Sequence, residues 1–572
     1  MISLNSLDKR IESRLCLRDP ELAGRRRISS RPKVFDMGST TRRRHPHEPE
    51  FLSARKNYGA VPGNACDADI MAAMRAFADQ AFSRAAGAPL VEGNHVRLLK
   101  DAKQNYPAWL DAIDSAKQHI HFESYIIHED DVGRRFADAL ISKAREGVRV
   151  RIIYDWMGGF GKTSRRFWER MISCGIEVRC YNPPKLDSPF GWLSRDHRKM
   201  LAIDGRIAFI TGLCVGRMWE GIPGRNIEPW RDTGIEVRGI SVADIEQAFA
   251  QIWTMLGDPL PASEIVERDA LSRAGDVRMR IVASLPATAG MFRLDQLIAA
   301  IARRRLWLTD AYFAGMTSYV QALRAAARDA VDVRLLVPNA TDIPVLRPLS
   351  RAGYRPLLEA GVRVFEWNGS MVHAKTAIAD SRWARVGSTN LNIASWFGNC
   401  ELDAVVEDES FAHDMEQMYL QDLTNATEIV LDARSRVYAP PGRQRRTRAA
   451  LKGGAGSVGR AAAGAIRIGN TMGAAFTNRR VLEPIEARVT GTAGILLLSL
   501  AILFAIFPRL FVYPLASVFL WIALALLYKS YKVRRRATQE NIGDRAGPGE
   551  ARGSAPGHDR SRSAKIEPGD RQ

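Results

Sequence analysis

The chain has 572 residues and a formal charge of +19, long enough for two core-forming domains plus tails. The charge is uneven: residues 1–60 carry 14 basic against 7 acidic side chains and residues 434–572 carry 24 against 8, which leaves the body between them at −4. A slightly acidic body is not the basic groove of a nuclease, so no nucleic acid partner is expected; six scattered cysteines without a Cys-x-x-Cys pair exclude a disulfide scaffold and point to a reducing compartment.

In chain order, residues 1–60 contain GRRRISSRPK and TRRRHPHEPE but no apolar core. They read as a disordered basic tail rather than a signal peptide, with Met37 and Met71 as later candidate starts. A helical segment is expected at 61–90. A similar pattern is then written twice, over 91–270 and 271–433. HIHFESYIIHED resembles RLWLTDAYFAGM, which aligns Glu123 and Tyr125 with Asp310 and Tyr312. A helical stretch follows each, GRRFADALISKAREG and YVQALRAAARDA, then a strand, VRVRIIYD and VDVRLLVPN. A second helix leads to CGIEVRCYN and AGVRVFEWN. This order predicts an α/β fold of two similar lobes, with mixed, mostly parallel sheets flanked by helices.

Each repeat next writes His-x-Lys-x-x-x-x-Asp: His197, Lys199 and Asp204, then His373, Lys375 and Asp380. Composition alone predicts roughly 0.02 such matches in a chain of this make-up. On a strand, residues two apart share a side, so two such strands meeting would aim two imidazoles and two ammonium groups into one pocket. Lysines neutralise phosphate oxygens; one histidine can attack phosphorus while the other protonates the leaving oxygen. Each Asp falls at the strand's end, where it is expected to hold the following turn. Glu123 and Asp310 are expected to orient the imidazoles from neighbouring strands. No cluster has metal-ligand spacing, so neither metal nor cofactor is expected. The loop PPKLDSPFGWLSRD puts Phe190, Trp192 and Leu193 before the first motif, as packing groups or as guides for acyl chains.

Residues 434–490 read as a flexible linker rich in Gly, Ala and Arg, whose cations suit an anionic membrane surface. Two apolar runs follow, 491–507 and 510–528, split at Pro508-Arg509. Each is near the length of a bilayer span, and basic residues flank both ends, which predicts a transmembrane hairpin with cytoplasmic termini. A re-entrant or interfacial pair is the alternative. Residues 529–572 read as a basic, then disordered, tail.

The doubled motif, together with WRDTG at 230–234 and GSTN at 387–390, resembles the phospholipase D superfamily. Within it the chain is similar to bacterial cardiolipin synthases, from about Val91 to Leu431. The resemblance implies transfer of a phosphatidyl group from phosphatidylglycerol to a second phospholipid alcohol through a covalent phosphohistidine. Phosphatidylethanolamine serves some relatives as a lipid partner. It also implies that His197 and His373 share the roles of nucleophile and acid/base, with attack given to His197. Lys199, Lys375 and Asn390 would contact phosphate with Ser388 beside it, Asp204 and Asp380 would support the loops, and Glu401 would support a motif histidine. The first half departs from the pattern: TGLCVG places Cys214 where a pocket-lining Asn is expected, and a thiol is a poor donor. The implied setting is a bacterial inner membrane with the body facing the cytoplasm; oligomeric state is left open. The competing readings are a phospholipase D hydrolase releasing phosphatidic acid, a phosphodiesterase nuclease and an inactive scaffold.

Overall fold

The computed structural model describes residues 77–184, 194–225, 227–342, 350–351, 353–432, 437–439, 495, 498–504 and 506–545. The tail at 1–60, the Phe190, Trp192 and Leu193 loop, most of the 434–490 linker and the chain after 545 lie outside these residues.

The first half supplies strands β1 (Val91–Lys100), β2 (His119–Ser124), β3 (Arg149–Asp155), β4 (Glu177–Tyr181), β5 (Lys199–Ile203), β6 (Ile207–Thr211) and β7 (Thr233–Gly239). The second supplies β8 (Val277–Ser284), β9 (Arg305–Thr309), β10 (Asp332–Pro338), β11 (Arg363–Trp367), β12 (Thr376–Ala379), β13 (Trp383–Gly387) and β14 (Glu401–Glu407). Two more, β15 (Ala426–Leu431) and β16 (Val437–Tyr438), extend its outer edge. Among the described residues these strands form one sheet, ordered 16-15-11-10-9-12-13-14-8-1-7-6-5-2-3-4. The order is a pseudo-twofold: reading outward from the β8–β1 junction, each half repeats the other.

The sheet is mostly antiparallel, against the expectation of mostly parallel sheets. Parallel pairing is confined to β2–β3–β4 and β9–β10–β11. There the crossover helices that the sequence signals do their work. The helix Asp131–Arg145 is capped by Asp130 and buries Val132, Phe136 and Leu140 along one stripe. The motif strands instead return through tight turns. Asp204 and Gly205, and likewise Asp380 and Ser381, take left-handed φ of 55°, 62°, 50° and 56°. Two consecutive left-handed residues make a hairpin turn, so β5–β6 and β12–β13 run antiparallel.

Among the described residues, three apolar cores are formed. One lies on the outer side of the first half, around Tyr106, Trp109 and Phe136, and one on the outer side of the second, around Tyr319, Leu323 and Trp396. The third takes residues from both halves, including Met200, Trp253, Phe365 and Met415. There β6 and β7 lie against β13, and the helices Val242–Leu256 and Glu409–Leu423 are enclosed.

At the C-terminal end, 498–504 is helical, Phe507 breaks the helix, and Pro508 opens a second, Pro508–Arg545. Proline suits the first turn, where its missing N–H costs nothing. Among the described residues no helix is long and apolar enough to cross a membrane, so the expected hairpin is not seen as two spans.

Candidate active site

Each motif is stitched to the opposite half before its strand begins. His197 N donates to Cys400 O at 2.9 Å, and Cys400 N to Arg195 O at 2.8 Å. In the same way His373 N donates to Arg231 O at 2.7 Å, and Arg231 N to Met371 O at 2.8 Å. The residue after each stitching point is an acid. Glu401 Oε2 lies 2.9 Å from His197 Nδ1, and Asp232 Oδ2 lies 2.7 Å from His373 Nδ1. Each carboxylate accepts the Nδ1 proton, which puts the lone pair of the imidazole on Nε2. Every histidine is thus held by one half and oriented by the other.

The lysines complete the pair. Lys199 Nζ donates to the His197 carbonyl and lies over the Tyr125 ring, and Lys375 Nζ donates to the His373 carbonyl, which folds it back beside its own imidazole. Lys375 Nζ also lies 3.1 Å from His373 Nε2. Burial, then the Lys199 charge, pulls the Lys375 pKa down to about 8, against the pull of Asp232. Burial, then Lys375, pulls His373 down to about 3, so its imidazole is neutral at pH 7. Burial would raise Asp232, but His373 and Lys375 outweigh it and hold it below the usual carboxylate range. Glu401 goes the other way: burial raises it despite Lys199 and the hydroxyl of Ser388. Tyr125 packs its edge on His197 and Tyr312 on His373, with ring centroids 5.1 and 5.9 Å apart.

Ser388 Oγ donates to Glu401 Oε2 at 2.5 Å and accepts from Leu402 N, so it braces the acid. Asn390 is buried, and its Oδ1 has no hydrogen-bond partner among the described residues. Cys214 is buried and feels the charges of both Lys199 and Lys375; burial itself raises its thiol pKa. It therefore lies within electrostatic reach of both ammonium groups, inside the apolar core of the first half.

The motif aspartates sit at the other end of their strands. Asp204 accepts from the backbone N–H of Lys117, Gln118 and His119 at 2.8, 2.8 and 2.9 Å. Asp380 accepts from Arg303, Arg304 and Arg305 at 2.8, 2.7 and 3.0 Å. They anchor the entry of β2 and β9, besides occupying the turns that the sequence assigned to them.

Glu123 and Asp310 do not orient the imidazoles. Glu123 faces away from His197 beside Asp196, and burial together with that second carboxylate pushes it well above the usual range. Asp310 accepts from Leu391 N at 2.8 Å and Tyr312 N at 3.0 Å, and burial pushes it up to about 7. It pins the chain just after Asn390. The carboxylate that the sequence reading left without a role is Asp232, although its motif WRDTG was in view. Trp219 Nε1 donates to it at 2.9 Å, and Trp219 and Trp230 flank His373.

A family model described as cardiolipin synthase, phospholipase D-like domain, matches residues 109–215 and 296–423, which include both motif histidines. A cardiolipin synthase of Alkalihalophilus pseudofirmus is 33% identical over 345 residues, covering 60% of this chain and 68% of that protein. This chain belongs to the cardiolipin synthase family of phospholipase D-like proteins. Cardiolipin synthase 2 of Bacillus anthracis is 32% identical over 342 residues, covering 59% of this chain and 66% of that protein. Among solved structures, the phosphatidylserine synthase of Haemophilus influenzae Rd KW20 superposes with a TM-score of 0.50 at 13% identity, covering 61% of this chain and 91% of that one. That likeness establishes a shared fold.

Proposed function

We propose that this chain is a phosphatidyltransferase that makes cardiolipin from phosphatidylglycerol and a second phospholipid alcohol. The observation that carries the reading is the crossed pair of histidine–carboxylate contacts, His197–Glu401 and His373–Asp232, with both lysines beside them. In the first step a neutral imidazole attacks phosphorus, the P–O bond to glycerol breaks, and the other imidazolium gives its proton to the departing oxygen. In the second step that imidazole, now neutral, takes the proton of the acceptor hydroxyl. The acceptor oxygen attacks phosphorus and the N–P bond breaks. Lys199, Lys375 and Asn390 hold the non-bridging oxygens, with Cys214 alongside. The neutral state of His373, set by burial, supports His373 as the attacking group rather than His197.

The repeats at 91–270 and 271–433 act as halves of one catalytic body, cytoplasmic and held to the bacterial inner membrane by the C-terminal apolar segments. The exposure of Ile506, Phe519 and Leu527 at 63%, 62% and 67% supports that attachment, since large apolar side chains in water are unfavourable. The test is purified protein with labelled phosphatidylglycerol in mixed micelles, read by mass spectrometry. Cardiolipin and free glycerol are expected, with the phosphatidyl group trapped on His373 after rapid denaturation at alkaline pH, where an N–P bond survives. Phosphatidic acid and glycerol would overturn transfer in favour of hydrolysis, and a label on His197 would reverse the assignment of roles.

A further inference from the structure

A second cluster of ionisable side chains lies at the far end of β2 from the phosphate site. His119 and His121 are two residues apart, so both project to the face where the helix Val242–Leu256 brings Glu246. All three are buried, at 2%, 0% and 2% exposure. His119 Nε2 lies 2.9 Å from Glu246 Oε1, and His121 Nδ1 lies 4.0 Å from an oxygen of the same carboxylate. Glu264 Oε2 stands 3.6 Å from His121 Nε2 and is itself gripped by Arg151 at 2.7 Å. The two imidazoles stack at 4.6 Å, and His121 stacks on Phe249 at 4.6 Å, which fixes both ring planes.

The hydrogen-bond accounting does not close around these rings. His119 Nδ1, both nitrogens of His121 and Glu246 Oε2 have no hydrogen-bond partner among the described residues. Buried polar atoms are ordinarily paired, and a neutral imidazole always carries one N–H. Yet one ligand atom from each of His119, His121 and Glu246 lies within 4.8 Å of the others, a span that one ion with bonds of about 2.0–2.2 Å can bridge after small side-chain shifts.

The other half supplies a control. Asp204 N donates to His119 O, and Asp380 N donates to Arg305 O, so His119 and Arg305 occupy equivalent positions. Gly205 N donates to Glu246, and Ser381 Oγ donates to Glu416, which makes those glutamates equivalent. In the second half Arg305 meets Glu416 at 3.0 Å, so a fixed cation answers the buried acid. The first half offers its acid two imidazoles instead.

We propose that His119, His121 and Glu246 bind one divalent transition-metal ion, with zinc the best chemical match, tying β2 to the helix Val242–Leu256. Imidazole and carboxylate together are a zinc-type donor set, with Glu264 close by to supply further negative charge. The strand end carrying Ser124 pairs with Lys199, whereas Ile120 pairs with Ile203, so the site lies away from the phosphate pocket and its role is structural.

The test uses untagged full-length protein in detergent, stripped with chelator and then titrated with Zn²⁺ and Co²⁺. About one equivalent per chain should survive gel filtration and raise the melting temperature. The Co²⁺ form should show visible d–d absorption without a thiolate charge-transfer band. His121→Gln and Glu246→Gln, checked by circular dichroism, should each lower affinity at least about tenfold. No retained metal and no shift in melting would overturn the proposal and leave His119–Glu246 as a plain buried ion pair. So would retention unchanged in both variants. If neither variant folds, the wild-type cobalt spectrum decides alone, a thiolate band counting against the site.

Discussion

The two halves of the body share one strand order and one motif, yet they finish the site with different chemistry. The first half contributes Asp232, an anion held low by His373 and Lys375, and brings buried Cys214 within reach of both lysine charges. The second contributes Glu401, raised by burial and braced by Ser388, and places Asn390. The stitching residues differ too. Arg231 is locked to Asp422 of the opposite half at 2.8 Å, while its counterpart Cys400 touches Tyr181. Duplication supplied the frame, and the divergence sits in the residues that set proton affinity. An exchange that needs one imidazole to attack and another to carry a proton gains from two unlike environments.

The frame demands both histidines. His197→Ala and His373→Ala should each lower turnover by about 10⁴-fold or more, since each half supplies one required group. Substantial activity in either single variant would break the two-histidine scheme. The acids should then separate the halves. Asp232→Asn removes an anion and is expected to cost about 10²–10³-fold in turnover. Glu401→Gln replaces a carboxyl that burial already biases towards its neutral form, and should cost about tenfold. Equal losses would mean that both acids work in one ionisation state and that the asymmetry has no catalytic meaning.

Much of this was legible beforehand because the repeat is local. The motif and the helices after β2 and β9 are short-range patterns; the structure begins β5 at Lys199 and β12 at Thr376, so His197, His373 and Lys375 lie just before the strands on which their alternation sets them. What failed was register. Aligning Glu123 with Asp310 is one residue off: the backbone equates His119 with Arg305, so Glu123 matches Thr309 and Asp310 matches Ser124. A one-residue slip sends a side chain to the other face of a sheet, so Glu123 pairs with Met200 and points away from the motif side chains, while Asp310 stays on the Lys375 side but spends its oxygens on Tyr312 N and Leu391 N. The antiparallel majority was signalled by Asp204-Gly205, a hairpin pair noted only as part of a motif. Asp232 and Glu246 could not be placed from local sequence. Each meets its histidine across more than a hundred residues, although His119-x-His121 was itself a visible ligand pattern.

The turns are where the halves should behave alike. Asp204→Ala and Asp380→Ala each remove an acceptor for three backbone N–H groups and put a Cβ residue other than Asp at a left-handed φ. Each should lower stability by about 1–3 kcal/mol, read as a fall in melting temperature, while turnover of the folded protein well below melting stays near wild type. Turnover lost without a drop in melting would place these acids in the chemistry after all.

The smallest effect is expected at the most conspicuous difference. Cys214 occupies the position that matches Asn390, near both lysines and fully buried. Its thiol is a weak donor, so it adds little to holding a phosphate oxygen that Lys199 and Lys375 already neutralise. Cys214→Asn restores an amide donor in a pocket whose other half accommodates one. Turnover on phosphatidylglycerol should be unchanged or raised up to about threefold, the scale of one extra neutral hydrogen bond. The same substitution makes the two pockets alike, so it also asks whether the enzyme needs them to differ. A large loss would show that the small, weakly polar thiol is selected by the acceptor side of the reaction, where an amide would crowd the incoming headgroup or hold water in its place.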